Sequence, residues 1–147
     1  MMDVNGTLAI SASALRAERL RLDVIASNLA NATTTRTAEG GPYRRRNVIF
    51  MAEPEENGFA ATLEALSAER AREGVKVVDV VEDPTPPRLV FDPGHPDANP
   101  DGYVAYPNVN PVAETVDLMA ATRAYEANVQ AVNATRRMAE AALSIGG

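Results

Sequence analysis

The stretch whose residue types and spacing invite chemistry is Asp92-Pro93-Gly94-His95-Pro96-Asp97-Ala98-Asn99-Pro100-Asp101-Gly102. Asp97, Asn99, Asp101 and Gly102 match the opening of a calcium loop, where alternate oxygens face the ion and glycine permits the sharp turn. The twelfth position is Asn108, which cannot supply the bidentate carboxylate that closes such a site. A hydrolytic zinc centre would need His95, Asp92, Asp97 and Asp101 to converge, and His95 is the only histidine. No nucleophile elbow, glycine-rich phosphate loop or two-histidine motif occurs in the chain. The plainer expectation is a tight hairpin, for which Asp, Asn, Gly and Pro are the usual components. The residues thus point away from an enzyme and from catalytic, cofactor and metal sites. A calcium-binding extracellular module is the alternative from a different class.

A basic triplet, Arg44-Arg45-Arg46, is the second place of interest. It falls in a segment, Tyr43 to Met51, that reads as a strand ending in Val48-Ile49-Phe50. Alternation along a strand would split the three guanidinium groups between two faces, so they form no continuous patch. They then either blunt a sheet edge or pair with carboxylates of an adjacent subunit. The net charge of −6 lacks the basic background that phosphate binding requires, and no nucleic-acid partner is expected. With no cysteine, disulfides and thiolate metal sites are excluded. No small-molecule substrate is expected either.

Two long amphipathic segments bracket these features. From Thr7 to about Ala32, Leu8, Leu15, Leu22 and Leu29 recur every seventh residue, with Ile25 on the same stripe. Asn5 or Thr7 is the expected cap, and the threonines from Thr33 with Gly40-Gly41-Pro42 end the helix. The second begins with Asn110 as cap and Pro111 at the first helical position, and Glu114 favours the positive end of the helix dipole. Leu118, Tyr125, Val132 and Ala139 are again seven apart, and no Pro or Gly intervenes before Gly146. At 1.5 Å per residue this helix is on the order of 50 Å long, whereas a compact chain of this size is roughly 40 Å across. A helix longer than the globule needs a partner along its stripe. Asn28, Asn128 and Asn133 interrupt the apolar pattern, and asparagine at a seam costs stability while fixing register.

Between the helices, Gly74 to Val81, Arg88 to Phe91 and Tyr103 to Tyr106 read as strands, separated by proline-rich connections. Phe59 to Glu73 reads as a short helix or a flexible insertion. The predicted class is α+β, with long terminal helices pairing as a coiled-coil inner layer and a small β-rich middle. The expected divisions are 1–33, 34–107 with a flexible insertion near 54–73, and 108–147. No stretch approaches the ~20 apolar residues of a membrane span. The first fifteen residues hold no Arg or Lys, so a cleavable signal is not expected.

The segment Leu22-Asp23-Val24-Ile25-Ala26-Ser27-Asn28-Leu29-Ala30-Asn31-Ala32 resembles the N-terminal signature of the bacterial flagellar axial family, which builds rod, hook and hook junction. Thr34 to Thr37, Gly40 to Arg45, Asp92 to Ala98 and Asp101 to Asn110 are similar to the proximal-rod members. Arg123 to Asn128 and Met138 are similar to that group's last helix. Ala14, where glycine is frequent, Arg46, Ala113 and Thr115 depart from the pattern. The resemblance implies a structural subunit of the proximal rod that assembles helically, transmits torque and lines the export channel. The alternative within the family is a distal rod or hook subunit. Implied partners are other copies, other rod proteins, the adaptor at the membrane ring and the flagellar type III export apparatus. The implied location is the basal body in the periplasmic space, reached without a cleaved signal peptide. The expected assembly residues on the first helix are Leu8, Leu15, Leu22, Ile25, Asn28, Leu29 and Asn31. Arg44 and Arg45 join them, as do Leu118, Tyr125, Asn128, Val132 and Met138 on the last helix.

Overall fold

Helices stand at both ends of the chain because both ends keep a helical apolar period without a proline to break it. In the computed structural model, whose described residues are 4–53 and 74–145, α1 runs Val4–Ala30 and α2 runs Pro111–Ile145. Between them lie β1 (Arg46–Glu53), β2 (Gly74–Glu82), β3 (Arg88–Phe91) and β4 (Tyr103–Tyr106). The strands form two small sheets, β1 with β2 and β3 with β4. The class is α+β. The helix or insertion expected near 54–73 lies outside the described residues.

The start of α2 follows the expected chemistry. Asn110 Oδ1 accepts the Val112 and Ala113 N–H groups at 3.0 and 3.4 Å, satisfying donors that have no partner inside the first turn. The start of α1 differs from expectation. Asn5 and Thr7 do not cap it, because the helix already begins at Val4 and the Thr7 carbonyl accepts the Ser11 hydroxyl inside it. Gly6 is carried within that first turn, at a helical cost of about 1 kcal/mol. At the other end, the Asn31 N–H and side-chain amide both donate to the Ser27 carbonyl, and Thr34 Oγ1 donates to Asn31 Oδ1.

The first strand is also displaced from its expected bounds of Tyr43 to Met51. Tyr43 is spent elsewhere: its N–H donates to the Thr34 carbonyl and its ring is buried. Pairing therefore begins at Arg46, so Arg44 and Arg45 precede the strand and the alternation argument does not apply to the whole triplet. Just before β1, the Arg45 carbonyl accepts the N–H of Asp83, just past β2, so the two strands run antiparallel.

β3 and β4 have the expected bounds and pair antiparallel, Arg88 opposite Tyr106 and Phe91 opposite Tyr103. Alternation puts Val90 and fully buried Val104 on one face, and Leu89, Phe91 and Tyr103 on the exposed other. Gly102 has φ +80°, and a Cβ there would come within 2.9 Å of Phe91 Cε2. Only glycine fits that turn.

The chain divides into two units. One gathers Met1–Arg19, Phe50–Val78 and Thr122–Gly147. Its buried residues include Ala17 and Thr135. In it Ser13 Oγ accepts the Val75 N–H at 3.0 Å, and a Cβ on Gly74 would sit 3.1 Å from that oxygen. The other gathers Leu20–Ile49 and Asp79–Ala121, with Ile25, Tyr43, Val104, Pro107, Val109 and Ala121 buried.

Candidate functional site

The second unit is organised around a buried polar cluster supplied by α1, the strap before β1 and the first turn of α2. Asn28 is 1% exposed and Glu114 is fully buried. The Asn28 carboxamide uses all of its hydrogen-bonding capacity. Its Nδ2 donates to the Arg46 carbonyl at 2.9 Å and to Glu114 Oε2 at 3.1 Å. Its Oδ1 accepts the Arg46 N–H and the Tyr43 hydroxyl, each at 2.9 Å. Asparagine here holds the backbone at the start of β1 much as a neighbouring strand would.

Glu114 completes the cluster from the other helix. Its Oε1 accepts Arg45 Nε, and the same guanidinium reaches Asp117 at 3.6 Å and Asp83 at 4.0 Å. A buried carboxylate is tolerated only when paired and hydrogen-bonded; each Glu114 oxygen has a donor and one of them is a charged partner, at the end of α2 where the helix dipole favours negative charge. Asp83 is held below the usual aspartate range, first by the Thr85 hydroxyl and then by the Thr85 N–H; loss of water around it opposes them, and the Arg45 charge adds the smallest effect. Arg46 stacks over the Tyr43 ring at 5.8 Å and reaches Glu82 at 3.9 Å.

The Asp92–Gly102 loop turns the side chains of Asp92, His95, Asp97 and Asn99 on itself and on the turn after α1. Asn99 Oδ1 accepts the Asp101 and Tyr103 N–H groups, and Asp92 Oδ1 accepts the Gly94 N–H. His95 Nδ1 accepts the Asp97 N–H at 3.1 Å. Asp97 in turn takes the Thr35 hydroxyl at 2.8 Å and lies 3.8 Å from Arg36. Among the described residues no three His, Asp or Glu side chains gather as metal ligands do. The loop is built as a turn.

The expected assembly residues separate into two kinds. Asn28 and Arg45 are consumed inside the chain, Ile25 is buried, and Asn31 finishes α1. Leu22, Leu29 and Leu118 in the second unit stay half-buried, as do Leu8, Leu15, Tyr125, Asn128 and Val132 in the first. Arg44 and Met138 are exposed. The cluster was not legible in advance. Glu114 carried a helix-dipole signal, but nothing in one sequence ties it to Asn28, 86 positions away, or to Arg45, 69 away.

Comparison with known proteins follows the same two-ended plan. Residues 8–36 match the family described as "Flagella basal body rod protein", and residues 101–145 match "Flagellar basal body rod FlgEFG protein C-terminal". The polar cluster joins the two matched regions, since Asn28 lies in one and Glu114 in the other. These features define a structural protein of the flagellar rod class. The chain is 47% identical over 144 residues to the flagellar basal-body rod protein FlgC of Bacillus subtilis, covering 95% of this chain and 96% of that one. It is 39% identical to FlgC of Borreliella burgdorferi, with 98% of each covered, and 41% identical to FlgC of Escherichia coli O157:H7, with 93% of each covered. The chain belongs to the FlgC family of flagellar basal-body rod proteins, which are structural subunits of the rod.

Proposed function

We propose that this chain builds the proximal rod of the flagellar basal body, repeating helically to carry torque from the membrane ring towards the hook and to line the export channel. Likeness to FlgC rod proteins along 93–98% of their length is the observation that carries this reading. The segments 1–33 and 108–147 pair as a coiled-coil inner layer, and 34–107 forms the β-rich part outside it. The leucine rows support this, because half-buried leucines at heptad spacing retain apolar area for neighbouring helices. Leu8, Leu15, Leu22, Leu29, Leu118, Tyr125, Val132 and Met138 make the contacts between subunits. Asn28 and Arg45 act from inside by fixing the angle at which the chain presents them.

The partners are further copies, other rod proteins and the ring adaptor. The subunit reaches the periplasmic basal body through the flagellar export apparatus. The chain performs no catalysis and needs no cofactor or metal. The test is a deletion strain with an intact export gate. Cells without hook or filament, restored by the gene on a plasmid, are expected; normal hooks in the deletion strain would refute the proposal.

A further inference from the structure

Two apolar rows of the chain are left open to solvent. On the β3–β4 hairpin, the face turned away from Val104 carries Leu89, Phe91 and Tyr103, and Leu89 and Phe91 are each 64% exposed. Phe91 and Tyr103 meet edge to face at 5.3 Å, so the row is preformed. On α2, Val112, Val116 and Met119 are 73%, 60% and 53% exposed and fall within an arc of about 60° of the helix. Contiguous apolar rows of this kind mark binding surfaces, because each large side chain gains free energy on leaving water.

The two rows fit each other in length and in charge. Leu89 to Phe91 spans about 7 Å of strand, and Val112 to Met119 spans about 10 Å of helix. Beyond Phe91 and Tyr103 the hairpin continues into Asp92 and Asp101, both exposed and without an ion pair among the described residues. One turn beyond Met119 the same helical face carries Arg123, exposed and likewise unpaired among the described residues. Each row reads apolar and then charged, with opposite signs.

We propose that the exposed face of the β3–β4 hairpin of one copy docks on the Val112–Val116–Met119 row of α2 in the next copy, with Asp92 and Asp101 against Arg123. The occupant is a second copy because one chain carries both complementary rows. Laying hairpin on hairpin instead would oppose the aspartates of two chains that each bear a net charge of −6. A contact between two different surfaces uses each row once per copy and repeats along an open helix. The inference rests on the helical self-assembly proposed above.

The chain has no cysteine, so introduced thiols report a single contact. Full-length F91C and V116C are co-expressed in the deletion strain, basal bodies are isolated and a mild oxidant is added. A mixed F91C–V116C dimer is expected, and the F91C/V116C double variant gives a ladder of multimers. Both variants present in basal bodies at wild-type amounts without the mixed product, or with F91C–F91C dimers alone, would overturn the docking and leave the rod function standing. Absence of the wild-type chain from basal bodies would instead sink the rod function. If the thiol variants fail to incorporate, charge reversal decides. D101R and R123D should each lower rod yield on the order of ten-fold and the pair together restore it; a double variant as poor as the singles would overturn the docking.

Discussion

The polar cluster and the β3–β4 hairpin invert the usual arrangement of a small protein. Among the described residues the largest fully buried side chain is Glu114, with Asn28 in the same class, while Leu89, Phe91 and Tyr103 lie open to water. A chain with 5% aromatic residues and no tryptophan has few large side chains to bury. It closes the second unit with directional polar contacts and leaves aromatic and leucine area free. Polar contacts specify one geometry, because each misplaced group is left unpaired, whereas apolar contact is tolerant of exact position. The difference separates what sets the shape of the subunit from what is free to be covered by others.

Removing the charge at the centre of the cluster should break the comparison most severely. Glu114→Ala takes from Arg45 Nε its nearest carboxylate, leaving the guanidinium to Asp83, Asp117 and Asn47, and leaves one Asn28 N–H unpaired; it is expected to cost about 3 kcal/mol in urea denaturation, a large share of a typical domain's stability. Glu114→Gln, which keeps the shape and a hydrogen-bonding oxygen, should cost less. A loss under 1 kcal/mol for the alanine variant would mean the cluster does not hold the fold. Asn28→Ala comes next, at roughly 2–3 kcal/mol, because the Arg46 N–H and carbonyl lose their partner together.

Phe91→Ser should lower monomer stability by only about 1 kcal/mol, the scale of its edge contact with Tyr103, while lowering incorporation into basal bodies. A thermal midpoint that falls steeply in the purified monomer would show that the hairpin face supports the fold and is not reserved for contact. The smallest effect concerns pH. Asp83 has a lowered pKa in the folded chain, so its contribution is present above the ordinary aspartate value and is lost as pH falls through the folded value. The stability difference between wild type and Asp83→Asn should be constant at neutral pH and shrink only below the ordinary aspartate range.

Much of the scaffold was legible in the residues. Asn110-Pro111 set the start of α2, since capping and a preset φ act locally, and the β-branched and aromatic runs gave β3 and β4 their bounds. Errors fell where a side chain had a distant use. Tyr43 looks like the opening of a strand by composition, yet its ring is buried and its hydroxyl is claimed by Asn28, and β1 starts three residues later.

Sequence alone determined the two terminal helices, β3 and β4, the turn chemistry of the Asp92–Gly102 loop and the heptad rows, because helical period, capping and loop composition are short-range properties. Its resemblance to the flagellar axial family pointed to the function that the relatives bear out. Only the tertiary structure decided that Asn28 and Arg45 face inward, that Glu114 closes the cluster, and that Leu89 and Phe91 face out. Those assignments depend on which distant groups meet in space. The free energy of a buried charge or an unpaired amide is set by its neighbours there, not by its neighbours in the chain.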